Sequence, residues 1–168
     1  MSQLRKGTTI RLSNGQAATI KDSLGDGGQG IVYLVNVDGQ KKALKWYKVN
    51  PGAAFKKNLI ENVHKTAPAD NFIWPLAVTE ERDGSFGYLM DLRPKGFVDM
   101  SDFILLKAQF KDVHAQLNAC LQICEAFQNL HIRGLSYQDM NDGNFFINPS
   151  TGDVLICDND NVAPDKTS

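Results

Sequence analysis

The chain changes texture once, at Arg93-Pro94-Lys95-Gly96, and that change restricts the fold more than any other feature. Before it, β-branched and aromatic runs alternate with turn dipeptides. After it, apolar residues recur at helical spacing. Strands first and helices second make an α+β plan in two lobes rather than an alternating α/β sheet, with the lobes at residues 1–92 and 93–168. In the first lobe, residues 8–12 and 16–20 flank Asn14-Gly15, and residues 31–37 and 41–47 flank Asp38-Gly39. Both dipeptides accept the positive φ of a tight hairpin. A helix is expected after Pro51 to about Lys65, with Pro68 limiting it. Residues 72–79 and 86–92 read as another strand pair around the turn Glu81-Arg82-Asp83-Gly84.

In the second lobe, Ser101 is expected to cap a short helix carrying Phe103, Ile104, Leu105 and Leu106. From about Asp112 to Ile132, the residues Val113, Leu117, Cys120, Leu121, Cys124, Phe127 and Leu130 mark one continuous helix face. That reading makes the two helix thiols core filler. Gly134 ends the helix, and residues 145–147 and 154–157 form a small hairpin around the turn at 148–153.

Charge and hydropathy narrow the class. Eighteen Lys+Arg against 19 Asp+Glu give a net charge of −1, without the basic excess of a general nucleic-acid binder. No apolar run approaches the roughly 18 residues of a membrane span, and the N-terminal MSQLRKGTT is too polar for a secretory signal. Cys120, Cys124 and Cys157 read as free thiols of a reducing compartment, so a cytoplasmic protein is expected.

Four patterns carry chemistry. Gly25-Asp26-Gly27-Gly28-Gln29-Gly30 lies between two strands, where backbone amides of residues without Cβ can approach phosphate oxygens. A strand follows it, which excludes a dinucleotide-binding turn, and no Gly-Lys-Ser/Thr follows, which excludes a Walker loop. Lys45 ends a strand after Ala43, and Glu61 falls in the predicted helix, where it is expected to pair with Lys45. Asp139 and Asn144 stand five apart in a loop: the first can accept a proton from a hydroxyl, the second can offer oxygen to a hard cation. Asp158 leaves the end of an apolar strand, an expensive place for a carboxylate without a partner or metal. Magnesium suits one or two carboxylates plus phosphate oxygens.

In that order, these residues resemble the motif set of a eukaryotic-type protein kinase, of the bacterial serine/threonine kind, from about residue 18 to 162. The resemblance implies a bilobal α+β fold with an antiparallel β-rich N-lobe and a truncated helical C-lobe. It also implies ATP and Mg²⁺ as cofactors. Gly25, Gly27, Gly28, Gly30 and Val32 match the nucleotide flap, Ala43 and Lys45 the Ala-x-Lys strand, and Glu61 its helix partner. Met90 resembles the gatekeeper, Asp91 and Arg93 would offer hinge backbone groups to adenine, and Phe146 would close on adenine from below. Asp139 matches the catalytic aspartate; Asn144 and Asp158 match the metal ligands.

Departures are also visible. Tyr137-Gln138 replaces His-Arg, Asn141 stands at a position often held by lysine, and Asn159-Asp160 replaces Phe-Gly. No stretch after Asp158 matches an activation segment or the later helices of the large lobe. The resemblance implies a protein serine/threonine kinase domain acting on a protein substrate. A nucleotide-binding pseudokinase or scaffold, and a small-molecule phosphotransferase of the aminoglycoside-kinase kind, are the alternatives. Apolar helix faces left uncovered in the second lobe would favour self-association.

Overall fold

The computed structural model describes residues 3–165. Two compact units emerge: the chain through Lys65 with Pro75–Leu92, and Thr66–Trp74 with the chain from Arg93 onward. The division differs from a single cut at residue 92, because the expected strand over residues 72–79 is split. Phe72 forms a parallel bridge to Ile156, and the Ile73 amide donates to the Ile156 carbonyl (2.8 Å). Phe72 and Trp74 then sit in the second unit's apolar core. Only Ala77–Val78, beyond Pro75, pairs as a strand in the first unit.

The first unit is built on six antiparallel strands: β1 (Thr9–Arg11), β2 (Ala17–Asp26), β3 (Gly30–Val37), β4 (Gln40–Tyr47), β5 (Ala77–Val78) and β6 (Gly87–Met90). Their order in the sheet is β1-β2-β3-β4-β6-β5. Both expected hairpins form, with Gly15 and Gly39 at positive φ. Alternation sorts the residues of β3 and β4. Ile31, Tyr33, Val35, Val37, Leu44 and Trp46 point into one core with Ile10, Ala18, Ile20 and Leu89. Burying each large side chain of this kind contributes about 1.5–3 kcal/mol, so a one-residue slip of register would forfeit the whole set. One helix, α1 (Ala53–Val63), completes the unit and buries Leu59 and Asn62.

In the second unit, β7 (Val98–Asp99), α2 (Met100–Ile104) and α3 (Val113–Ile132) are followed by β8 (Leu135–Tyr137), β9 (Phe145–Ile147), β10 (Val154–Ile156) and β11 (Val162–Pro164). Strands order as β10-β9-β7 and β11-β8. The cap of α2 is Asp99, whose carboxylate accepts from the Ser101 amide (2.9 Å), rather than Ser101 itself. Asp112 caps α3 by accepting from the Ala115 amide (2.9 Å).

The buried face of α3 follows its large apolar residues only toward the C-terminal end, at Phe127 and Leu130. Ala115, Ala119, Ala126 and Leu130 are buried, whereas Val113, Leu117 and Leu121 are 63%, 57% and 60% exposed. Cys120 and Cys124 are exposed as well, so they are not core filler. The reason is proximity. A Cβ on Gly152 would collide with the Ala115 carbonyl, and Asn118 and Gln122 bond the 148–153 turn directly. Only small side chains fit between helix and turn. Among the described residues, no helix is long and apolar enough to cross a membrane.

Candidate functional site

In the first unit, strand register gathers the predicted residues. Val32 lies opposite Lys45, Lys45 opposite Tyr88, and Ala43 opposite Met90. Directly paired residues share a side of the sheet, so Val32, Ala43, Lys45 and Met90 occupy one face, away from the core. Lys45 is only 4% exposed, Ala43 4% and Met90 8%. A nearly buried ammonium is costly unless it meets acceptors. One is the Gln29 side-chain oxygen at 3.3 Å, and the Tyr47 ring centroid lies 5.8 Å away. Gly87 makes this possible: any Cβ there would strike the Lys45 carbonyl.

The glycine loop closes as a tight turn at the end of the β2–β3 ribbon, with the Gly27 amide donating to the Gly30 carbonyl (2.9 Å). None of its four glycines has positive φ, so backbone freedom is not why they are glycine. Added Cβ atoms at Gly25 and Gly28 would meet nothing within 4 Å, and at Gly27 only the Gly30 carbonyl at 3.6 Å. The loop therefore presents open backbone of the sort an anion can approach closely. Gly30 differs: its Cβ would lie 2.5 Å from the Trp46 carbonyl, so packing against β4 requires it. Asp26 is paired with Lys48, and the Lys48 amide bonds the Gln29 carbonyl (3.0 Å), tying the loop to the end of β4.

Glu61 is a correction. It is exposed, and it makes no ion pair with Lys45. Leu59 takes the core position, and a residue two further on is turned about 200° around the helix. The inward side of α1 carries carboxamides instead: Asn62, fully buried, and Asn58, half-buried. Asparagine at three residues from a buried leucine was the signal available in the sequence. Asp91 is exposed and pairs with Lys42.

In the second unit, β8 leads into the 139–144 turn and β10 into the corner at Asp158. Asn144 is buried, and its Nδ2 donates to the Asp139 carbonyl (2.8 Å), which leaves Oδ1 as the acceptor end. Asn141 Nδ2 donates to the same carbonyl (3.3 Å), so it does not stand in for a lysine charge. The Cys157 amide donates to the Asn144 carbonyl (2.8 Å), joining the turn to the corner. Asp158 itself is left-handed (φ 53°, ψ 43°), a conformation that costs a non-glycine residue about 1–2 kcal/mol. Such strain persists where surrounding structure imposes it.

Tyr137 is the residue that sequence reasoning noted only as a departure. Its buried hydroxyl donates to the Cys157 carbonyl (2.5 Å), bridging the strand before Asp139 to the residue before Asp158. Burial pushes the phenol pKa far up, and Asp158, Cys157, Asp160 and Asp139 push it further. Asn159 replaces an apolar anchor with a polar one: fully buried, its Nδ2 donates to the carbonyls of Ile73 (2.7 Å) and Ile156 (2.8 Å). Phe146 faces away from the core that holds Phe145 and Ile147, and Arg93 lies over its ring with the guanidinium carbon 3.9 Å from the centroid.

No family model and no curated protein sequence matches the chain. Solved structures match in fold. Vaccinia related kinase 3 aligns with a TM-score of 0.74 and 15% identity, over 98% of this chain and 53% of its own. The PknI kinase domain of Mycobacterium tuberculosis aligns with a TM-score of 0.69 and 20% identity, over 95% of this chain and 62% of its own. The chain has a protein-kinase-like fold and spans less than two thirds of the length of either of these structures.

Proposed function

We propose that this chain binds Mg²⁺–ATP and transfers the γ-phosphoryl group to a serine or threonine hydroxyl of a protein. The observation that carries the proposal is the lacing of the Asp139–Asn144 turn to the Asp158 corner through Asn144, Cys157 and Tyr137. The donor set suits magnesium: Asn144 Oδ1 and the Asp158 carboxylate are hard oxygen ligands, and they would hold the ion. Bound there, the ion supplies positive charge against the phosphate oxygens. Asp139, half-buried, takes the proton of the attacking hydroxyl. Lys45 gives its ammonium to the phosphates, exchanging Gln29 for them, and the open glycine backbone supplies amides. Val32, Ala43 and Met90 form the apolar side of the base site, with backbone groups near Asp91 and Arg93 at its edge. With no cation at Asn141, charge stabilisation falls to Lys45 and the metal.

The test begins with thermal shift of the full chain in ATP, with and without Mg²⁺. At 100 times the dissociation constant, binding adds about 2.7 kcal/mol, or roughly 5–10 °C for a chain of this size. Transfer of labelled γ-phosphate to protein should follow, and Asp139→Asn should abolish transfer while keeping the shift. No shift at millimolar ATP rejects the proposal. A nucleotide-binding scaffold is the second reading, favoured by the exposure of Glu61 and the Gln29 contact on Lys45. It predicts the shift without any transfer.

A further inference from the structure

Helix α3 carries an apolar strip that its own unit leaves bare. Val113, Leu117, Cys120 and Cys124 follow one another at intervals of four, three and four, with Leu121 beside them, and all five are exposed. At about 100° per residue they lie on the side of the helix away from Ala115, Ala119 and Ala126, which are buried. The inward side seats the helix, so the strip is surplus to the fold. It continues past the start of the helix, where Ile104, Phe110, Val113 and Gln116 line one open groove between α2 and α3. Ile104 is exposed as well. Single exposed apolar residues are ordinary, but a contiguous row at coiled-coil spacing marks a contact surface.

Charge decides what covers it. From Val113 to Cys124 there is no Lys, Arg, Asp or Glu, although such residues make up 22% of the chain. A different protein is selected by complementary charge, and the strip has none to offer. Two identical surfaces meeting across a two-fold axis bring residues near the axis against their own copies, so charge there repels itself and an uncharged apolar seam does not. We propose that two copies of this chain pair through the strip, α3 against α3, about a two-fold axis near Leu117 and Leu121 with Cys120 of both copies beside it. Ile104, Val113, Leu117, Cys120, Leu121 and Cys124 offer roughly 500 Å² per copy, so the pair buries about 1,000 Å². That area lies at the lower limit for a specific interface, which makes the pair weak, half-formed at roughly tens of micromolar. The pairing is independent of the nucleotide reading above.

Analytical ultracentrifugation of the full chain from about 1 to about 200 µM, with thiols reduced, tests it. The average mass should climb from that of one chain toward that of two. Leu117→Glu or Leu121→Glu sets a charge against its own copy and should weaken the pair about tenfold. Val49→Glu, at an exposed position of the first unit, should leave it within about twofold. Both leucines are exposed, so circular dichroism of the dilute variants should match that of the unaltered chain. Cys124→Ser keeps Cys120 as the strip's thiol. A short bismaleimide, to which one thiol of each copy adds, should then yield a covalent dimer above the midpoint and none when Leu117→Glu is also present. A chain that stays monomeric throughout overturns the proposal and leaves the strip to another occupant. Association that survives both glutamates, or that grows beyond two copies, also overturns it, because a different or heterologous surface would be responsible. A dimer that does not cross-link at Cys120 overturns it in the same way.

Discussion

Replacing Tyr137 with phenylalanine removes one oxygen and little else, so it isolates the bond that joins the two halves of the second unit's cluster. The hydroxyl donates to the Cys157 carbonyl at 2.5 Å inside the unit. Leaving a buried acceptor without its donor costs about 1–3 kcal/mol. A 2 kcal/mol loss lowers the melting temperature by about 4–8 °C in a chain of this size. The second consequence concerns Asp158, the next residue, whose left-handed backbone relaxes when its anchor weakens. If about 1 kcal/mol of the loss reappears as disorder at Asp158, Mg²⁺–ATP affinity falls about fivefold. Affinity for ATP without metal should stay the same. Calorimetry with and without Mg²⁺ on both proteins provides the comparison. Equal losses in the two conditions, or a lower melting temperature with unchanged metal dependence, would refute the positioning role and leave Tyr137 as ordinary core.

The pH dependence of that bond has a definite sign. The folded pKa of the phenol is raised, chiefly by burial and then by Asp158. Its contribution is therefore complete below the ordinary tyrosine value of about 10 and is lost as pH rises through the folded value. In alkaline absorbance titration, one tyrosine should stay protonated past the others until the chain unfolds.

Further outcomes follow from particular contacts. Gly30→Ala places a Cβ 2.5 Å from the Trp46 carbonyl and should cost about 1–3 kcal/mol in urea unfolding; a loss under about 0.5 kcal/mol would mean that β3 shifts freely. Glu61→Gln should leave ATP affinity unchanged within about twofold, since its carboxylate is exposed and unpaired with Lys45; a tenfold loss would restore the pairing. Hydrogen bonds from Thr151 and Gln122 hold the Asp153 pKa below 3.8. Its contribution is present above that ordinary value and is lost as pH falls through the folded one. The stability gap between the unaltered chain and Asp153→Asn should therefore narrow as pH falls below the ordinary carboxylate value of 3.8; a gap independent of pH would show that the charge is irrelevant.

Residues whose placement follows from backbone chemistry were legible in the sequence. Val32, Ala43, Lys45 and Met90 share a face because period-2 alternation and two turn dipeptides set the register. Asp139, Asn144 and Asp158 were legible because short loops between apolar strands hold them. What escaped was the azimuth of helices, which depends on the partner and not on the helix. A hydropathy pattern points α3 along Leu117 and Leu121, yet close contact with the Gly152 turn selects the alanine side. Glu61 escaped similarly, since one buried leucine at 59 decides which way α1 turns. The division at residues 66–74 was hidden because a run of apolar residues reads as one strand wherever it lands.

That division has a local chemical cause. At the two positions after Asp158, the motif set normally supplies an aromatic and a glycine; here Asn159 and Asp160 are fully buried. An apolar ring would hold its neighbours by area alone, without direction. Asn159 instead donates to the carbonyls of Ile73 and Ile156, and Phe72 bridges Ile156 from the same segment. Arg133 adds bonds to the carbonyls of Thr66 (2.9 Å) and Ala67 (3.0 Å). Residues 66–74 are thus fixed to the second unit by directed bonds at both ends, and the left-handed corner at Asp158 is built on the same strand end that Asn159 grips. Tyr137 bonds that corner from the other side. Asn159 and Tyr137 both donate to main-chain carbonyls, and such bonds specify position more tightly than apolar contact does. The left-handed corner at Asp158 is thus fixed from two sides by hydrogen bonds to main-chain carbonyls, from Asn159 and from Tyr137.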